Sequence, residues 1–269
     1  MTFASILVSL DLGAAAATRV RLSANLAKRF EAMLTGVAAR KIPNPGPGYD
    51  LAEIQTAYNE ERAKLARDLE RCRDLFERNS GADVPTSWLQ AEANAADFLV
   101  RQALAADVVV VGRESDEGIG EMSALPGAVL MEVGRPVLMT PPGSDDLRAE
   151  RIVVAWKDAP EARRAVSAAL PFLRRAKHVS VVSAGEEARS DSADRVAEFL
   201  ARHGAQVSQH LLDANARNVA DEILRFVDQA DADLVVMGGY GRSRLREWLF
   251  GGVTRDFLKR SPVCCLMSH

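Results

Sequence analysis

The chain has 269 residues, a length that suits two domains of ordinary size better than one. Its hydrophobic content of 48% and its charged content of 26% are typical of a soluble globular protein. The formal net charge of −3 gives no attraction toward nucleic acid or an anionic membrane, so we expect neither partner. No apolar run approaches the roughly 20 residues that a membrane-spanning helix needs.

The first residues and the cysteines both indicate the compartment. The N-terminal segment has no basic region and reaches a charge at Asp11, so we expect no signal peptide. Cys72, Cys264 and Cys265 are odd in number and two of them are adjacent, which fits neither a disulfide framework nor a zinc site. Free thiols fit a reducing cytoplasm, and we predict a cytoplasmic protein without a metal site of its own.

The first half of the chain alternates strand and helix patterns. An apolar run at Ile6–Leu10 predicts the first strand, and a breaker-rich loop follows at 43–48. A helical pattern of apolar residues then extends from Ile54 to Phe76. Two further apolar runs, Val108–Val111 and Val137–Met139, predict the last strands of this half. Such alternation is typical of a doubly wound α/β fold with a parallel sheet.

The second half repeats the first. Three pairs of segments resemble each other, namely Ile6–Asp11 and Ile152–Lys157, Ala106–Gly112 and Ala232–Gly238, and Arg135–Met139 and Ser261–Cys265. The two members of the first pair lie 146 residues apart, whereas the members of the other two pairs lie 126 residues apart. The first half therefore carries 20 extra residues after its first strand and before its fourth. We place these in the lengthened loop and long helix between residues 43 and 76. The repeat indicates duplication of a whole domain.

These patterns predict two tandem doubly wound α/β domains, residues 1–142 and residues 150–269. The linker between them, Pro141–Asp146, is rich in breakers and polar groups. Each domain would end on an exposed edge strand, Pro136–Thr140 in the first half and Pro262–Met267 in the second. Because unpaired edges need covering, we expect the two last strands to pair with each other.

A pattern of spaced glycines in the second half predicts an anion pocket. Gly238 closes a buried strand, Gly241 follows after two residues, and the pair Gly251 and Gly252 follows after nine more. Glycine leaves the backbone bare and free to turn, whereas two glycines inside a helix would cost about 1 kcal/mol each. We therefore expect a new helix to begin near Gly252. Its free N–H groups would face the glycine turn and attract an anion.

The glycine pattern, the opening Ile-Leu-Val-Ser-Leu-Asp and the closing Pro-Val strand resemble the universal stress protein family. The resemblance implies five parallel strands per domain in the order 3-2-1-4-5 and pairing of domains along the last strand. It therefore implies an intramolecular pseudo-dimer, and it leaves open whether that unit dimerises further. It also implies ATP binding in some members, with adenine near the first two strands and Mg²⁺ only as a companion of the nucleotide.

The resemblance assigns candidate nucleotide contacts in the second half to the glycines, the start of the last helix and the charged pair after the first strand. These residues are Gly238, Gly241, Gly251, Gly252, Val253, Thr254, Lys157 and Asp158. Gly252 stands where the family has Ser or Thr, and the hydroxyl of Thr254 comes two residues later. Lys157 stands where the family has Asp. It could pair with a phosphate or fill the adenine pocket, but a solvated lysine without a ligand contact is the commoner case.

The first half departs from the family in the opposite way. Asp11 matches the family's Asp, but Gly112 is the remaining glycine, since Ser115, Leu125 and Pro126 occupy the places of the others. We therefore expect no nucleotide in the first half. For Asp11 we favour a cap of the first helix over a ligand contact.

Three functions remain open at this point. The first is a universal stress protein acting in stress adaptation, with ATP or a related nucleotide in the second half. The second is a protein-interaction scaffold without a bound nucleotide. The third is a slow ATP hydrolase, but the sequence shows no defensible set of catalytic residues, so we predict that the chain is not an enzyme.

Overall fold

The structure, a computed structural model, describes residues 2–43, 50–114, 120–184, 191–213, 219–241 and 252–269. The elements of the first half are β1 (Ser5–Ser9), α1 (Ala16–Phe30), β2 (Met33–Ala39), α2 (Leu51–Asn79), β3 (Thr86–Ala91), α3 (Ala95–Gln102), β4 (Val108–Gly112), α4 (Pro126–Glu132) and β5 (Val137–Thr140). The elements of the second half are β6 (Arg151–Ala155), α5 (Pro160–Leu173), β7 (His178–Ala184), α6 (Ser192–Arg202), β8 (Val207–Leu212), α7 (Val219–Gln229), β9 (Leu234–Gly238), α8 (Val253–Arg260) and β10 (Cys264–Ser268).

The described strands form one ten-stranded sheet in the order β3-β2-β1-β4-β5-β10-β9-β6-β7-β8. Within each half the strands are parallel and the order is 3-2-1-4-5, which confirms the predicted fold class. The helices cover both faces, because the crossovers between parallel strands pack back onto the sheet. The central strands consist almost entirely of buried apolar residues for the same reason.

The two last strands pair with each other, as the sequence predicts. β5 and β10 run antiparallel, with Met139 opposite Cys265 and Leu138 opposite Leu266. Each of these side chains is completely shielded from solvent. The pairing therefore removes both exposed edges and makes the two five-stranded sheets continuous.

The extra residues of the first half lie in its second helix. α2 has 29 residues, whereas its counterpart α6 has 11. A capping box begins α2, since Asp50 accepts hydrogen bonds from two helix amides and the Glu53 side chain accepts one from the Asp50 amide. The apolar pattern that predicts this helix buries Leu65, Leu69 and Phe76 against the first half.

An aromatic cluster joins the two halves beneath the sheet. Phe172 of α5 lies between Phe3 and Phe30 of the first half, with ring centroids 5.3 and 5.4 Å away. Phe172 is 2% exposed. Arg175 covers the cluster at its rim, 5.3 Å from the centroid of the Phe30 ring.

We predict that Phe172→Ala destabilises the protein by about 3–5 kcal/mol, because it removes a buried ring that both halves pack against. Urea unfolding followed by circular dichroism measures this change. Phe199→Ala is the matched control, since Phe199 belongs to the same half and is 38% exposed; it should cost less than about 1 kcal/mol. Equal losses in the two variants would show that the cluster does not hold the halves together.

Candidate functional site

The site lies where the strand order reverses in the second half. β6 and β9 are neighbours there, with Ala155 opposite Met237 near their carboxyl ends. The chain leaves β6 into α5 and leaves β9 into the glycine turn. In open α/β sheets, ligands bind in the crevice that such a reversal creates.

The glycine turn is tied to the last helix. The Tyr240 amide donates to Oγ1 of Thr254 over 3.1 Å, and Thr254 is 3% exposed in the first turn of α8. Tyr240 has a φ of 47°, a left-handed conformation that is uncommon for residues other than glycine. The structure therefore brings together the two segments that the sequence predicts to converge. It also shows that the Thr254 hydroxyl holds the turn.

The start of α8 agrees with the sequence. Gly252 is the N-cap residue, with extended backbone angles and no side-chain capping bond. Val253 is the first helical residue and is half-buried. Gly251 lies outside the described residues.

The start of α5 also faces the turn, and the sequence analysis missed this. A Cβ atom at Gly238 would stand 2.7 Å from the Ala162 amide nitrogen and 2.7 Å from Cγ of Glu161. One at Gly241 would stand 2.6 Å from Oε1 of Glu161. The missing side chains of both glycines therefore make room for the first turn of α5 and for one carboxylate.

The first turn of α5 brings the Ala162 amide to this crevice. Its N-cap residue, Ala159, offers no side-chain cap, and Pro160 follows at the first helical position. Glu161 therefore lies at the positive end of the helix dipole, where no side chain caps the helix. The pair Pro160 and Glu161 predicts the start of a helix from the sequence. It gives no sign that this helix start contacts the glycine turn near Gly238, because the turn lies far along the chain.

Lys157 and Asp158 lie beside this crevice. Both follow β6 and both are exposed. Oδ1 of Asp158 accepts a hydrogen bond from Nε of Arg163 over 3.1 Å, so this carboxylate is held in an ion pair one turn along α5.

A groove of about 710 Å³ continues from Asp158 and Arg163 between α5 and α6. Its floor carries Trp156, whose indole N–H donates to Oγ of Ser192 over 3.2 Å. This volume falls within the range of small-molecule sites.

The equivalent crevice of the first half is filled by Arg19. Nε of Arg19 donates to the Ser9 carbonyl over 2.9 Å, and Nη2 donates to Oδ2 of Asp11 over 2.7 Å. The Arg19 side chain is 4% exposed and lies against Gly112, where a Cβ would overlap its Nη1 atom. The prediction that Asp11 caps the first helix is wrong, because the N-cap residue of α1 is Ala15, which has no side-chain cap.

A second buried arginine closes the same end of the first half. Arg40 follows β2, and its side chain is 1% exposed. Its guanidinium donates to Oε2 of Glu61 over 2.8 Å and to Oε2 of Glu121 over 2.5 Å. The hydrogen bond from Arg40 is the main cause that lowers the pKa of Glu121. Arg19 and Arg40 thus place two buried guanidinium groups, each in an ion pair, at the strand ends of the first half.

Comparison with known proteins identifies the second half. Residues 149–269 match the model of the universal stress protein family. The second half of the chain is a universal stress protein domain. No curated protein matches the sequence.

Solved structures share the architecture of both halves. The universal stress protein from Archaeoglobus fulgidus DSM 4304 aligns with 97% of this chain and 94% of its own at 15% identity, with a TM-score of 0.72. A protein of unknown function from Pseudomonas aeruginosa PAO1 aligns with 98% of this chain and 92% of its own at 20% identity, with a TM-score of 0.57. At these identities the likeness shows the fold, here a universal stress protein fold in tandem.

The universal stress protein from Archaeoglobus fulgidus in complex with dAMP aligns with 52% of this chain and 98% of its own at 20% identity. Its TM-score of 0.33 is too low to support an argument about this chain.

Two features are absent from the described residues. No helix among them is long and apolar enough to cross a membrane. No group of three or more His, Cys, Asp or Glu residues in these parts of the chain is placed to hold a metal ion.

We predict that Gly238→Ala destabilises the protein by about 1–3 kcal/mol, because its Cβ would press on the backbone of α5. Gly241→Ala should cost less than about 1 kcal/mol, since its Cβ would meet only the movable end of a side chain. Urea unfolding of both variants tests this pair. A Gly238→Ala variant as stable as the wild type would contradict the close approach of β9 and α5.

The Glu121 carboxylate should make stability depend on pH. Its pKa is lowered in the folded state, so its contribution is complete above the unfolded value near 4.5 and is lost as the pH falls through the lower folded value. Urea unfolding between pH 7 and pH 3 should therefore show the wild type and Glu121→Gln converging at the acid end. Glu77→Gln, which removes an exposed carboxylate from α2, is the control. A difference between wild type and Glu121→Gln that is independent of pH would contradict the assignment.

Proposed function

We propose that this chain is a binding module of stress adaptation in which the second half binds ATP or a related adenine nucleotide. The observation that carries the proposal is the convergence of three backbone segments: the turn from Gly238 to Gly241, the start of α8 at Gly252, and the start of α5 at Ala162. Two helix N-termini and a bare turn supply amide donors and positive dipole ends to one place. Phosphate groups are the anions that such places hold.

The candidate residues take different roles in this proposal. Gly238, Gly241 and Gly252 would let the phosphates approach the backbone, with Gly251 beside them. Val253 would contribute its backbone amide at the first turn of α8.

Charged and aromatic groups complete the proposed site. Lys157 would attract the phosphates from the exposed end of β6, and Asp158 would keep Arg163 beside them. The sugar and base would extend toward the groove at Trp156. Thr254 would act indirectly, because its hydroxyl positions the turn.

The proposal is binding without turnover, in a cytoplasmic protein. The nucleotide would bring its own Mg²⁺. The first half would serve as a structural partner, since Arg19 and Arg40 fill its strand ends. We further propose residues 1–142 and 150–269 as the two domains of the pseudo-dimer; a homodimer of this unit would have to use surfaces other than the β5–β10 pair.

A scaffold without nucleotide is the second candidate. The observation that favours it is the Glu161 carboxylate, which already lies against the glycine turn. In this alternative the turn serves packing alone, with Glu161 as its permanent neighbour.

Isothermal titration of the purified protein with ATP and Mg²⁺ tests the proposal. We expect the wild type to bind and Gly241→Val to lose affinity by about tenfold or more, because a branched side chain would enter the crevice. Ala63→Val, which adds similar bulk to an exposed position of α2, is the control and should bind normally. A wild type that neither binds ATP nor carries a nucleotide after purification would establish the scaffold instead. Release of phosphate that Gly241→Val abolishes would show that the protein is an ATP hydrolase.

A further inference from the structure

Glu161 occupies an unusual place for a carboxylate. It is the second residue of α5, and Oε1 lies against Gly241 while Cγ lies against Gly238. Its side chain is half-buried, and among the described residues no arginine or lysine forms an ion pair with it. The positive end of the α5 dipole is the favourable surrounding for its charge, since Glu161 lies in the first turn of that helix.

The two halves fill equivalent crevices with opposite charges. In the first half, Arg19 extends from α1 over Gly112, is 4% exposed, and is fixed by Asp11 and by a backbone carbonyl. In the second half, Glu161 extends from α5 over Gly238 and Gly241. Arg19 is permanent because removing it would leave Asp11 without its cation. Glu161 has no such partner among the described residues, so it can rotate into solvent at small cost.

We propose that Glu161 is an internal substitute for an anionic ligand: its carboxylate occupies the phosphate position of the second half, and it must swing out before a nucleotide binds. The inference rests on the proposed nucleotide site and adds its regulation. A phosphate placed beside the glycine turn would lie next to the Glu161 carboxylate, and two like charges at close range repel each other. Glu161 would therefore set the affinity of the site and restrict it to ligands with enough phosphate contacts to displace it.

Two simpler roles of Glu161 would give different experimental results. If Glu161 only stabilised the start of α5, replacing it would change stability and leave binding unchanged. If Glu161 held the Mg²⁺ of the nucleotide, replacing it would weaken binding in the presence of Mg²⁺. Competition for the phosphate position instead predicts stronger binding of ATP without any metal.

The experiment compares wild type, Glu161→Gln and Glu161→Ala by isothermal titration with ATP in EDTA, and then with adenosine, which carries no phosphate. We expect Glu161→Gln to bind ATP about tenfold more tightly than the wild type, because it keeps the volume and removes the charge. Glu161→Ala, which also opens space, should bind at least as tightly as Glu161→Gln. Adenosine affinity should change less than about twofold in both. Glu77→Gln removes one exposed charge from α2 and should match the wild type, which controls for net charge.

The outcomes separate this inference from the proposed function. If the wild type binds ATP and Glu161→Gln binds equally or more weakly, the inference fails and the nucleotide site stands. An equal gain for adenosine and ATP also overturns it, since the effect would then not concern the phosphates. Binding by the variants but not by the wild type would support the inference and show a site closed by its own carboxylate. If none of the three proteins binds ATP in EDTA, the inference fails, and the titration with ATP and Mg²⁺ decides the proposed function by itself.

Discussion

The antiparallel pairing of β5 with β10 is the interaction on which the rest of the structure depends. A five-stranded parallel sheet alone would expose its last strand, and here each half has such an edge. The antiparallel ladder around Met139 and Cys265 gives hydrogen-bond partners to the backbone N–H and C=O groups of both edge strands. Since these side chains are completely buried, the two halves form one hydrophobic interior on each face of the sheet.

This pairing also decides what borders the glycine turn. A Cβ at Gly239 would meet the Leu130 side chain of α4, and one at Gly127 of α4 would stand 2.8 Å from the Tyr240 hydroxyl. The segment after β4 of the first half also contacts the second half, because the Arg113 side chain donates a hydrogen bond to the Ser261 carbonyl oxygen over 3.2 Å. The segment after the fourth strand of each half therefore contacts the other half. A change in the glycine turn would therefore also alter contacts with α4 of the first half.

The contrast between Arg19 and Glu161 gives the duplicated fold its asymmetry. Both residues come from the first helix of their half and both reach the end of the fourth strand. Arg19 brings a buried cation that Asp11 neutralises, which turns that crevice into a permanent part of the core. Glu161 brings an anion to the corresponding place in the second half, where no arginine or lysine among the described residues forms an ion pair with it. The same architecture thus carries a cation in one crevice and an anion in the other.

The sequence by itself determined the duplicated α/β plan, the long second helix of the first half and the helix start at Gly252. It could do so because unbroken apolar runs, helical periodicity and paired glycines act through neighbours in the chain. The strand order followed from the family resemblance. Only the tertiary structure decided that Asp11 pairs with Arg19, that Thr254 holds Tyr240, and that Glu161 reaches the glycine turn. The physical reason is that these contacts depend on how α1, α5 and α8 pack against the ends of the strands, and the spacing of residues along one element carries no information about its register against another.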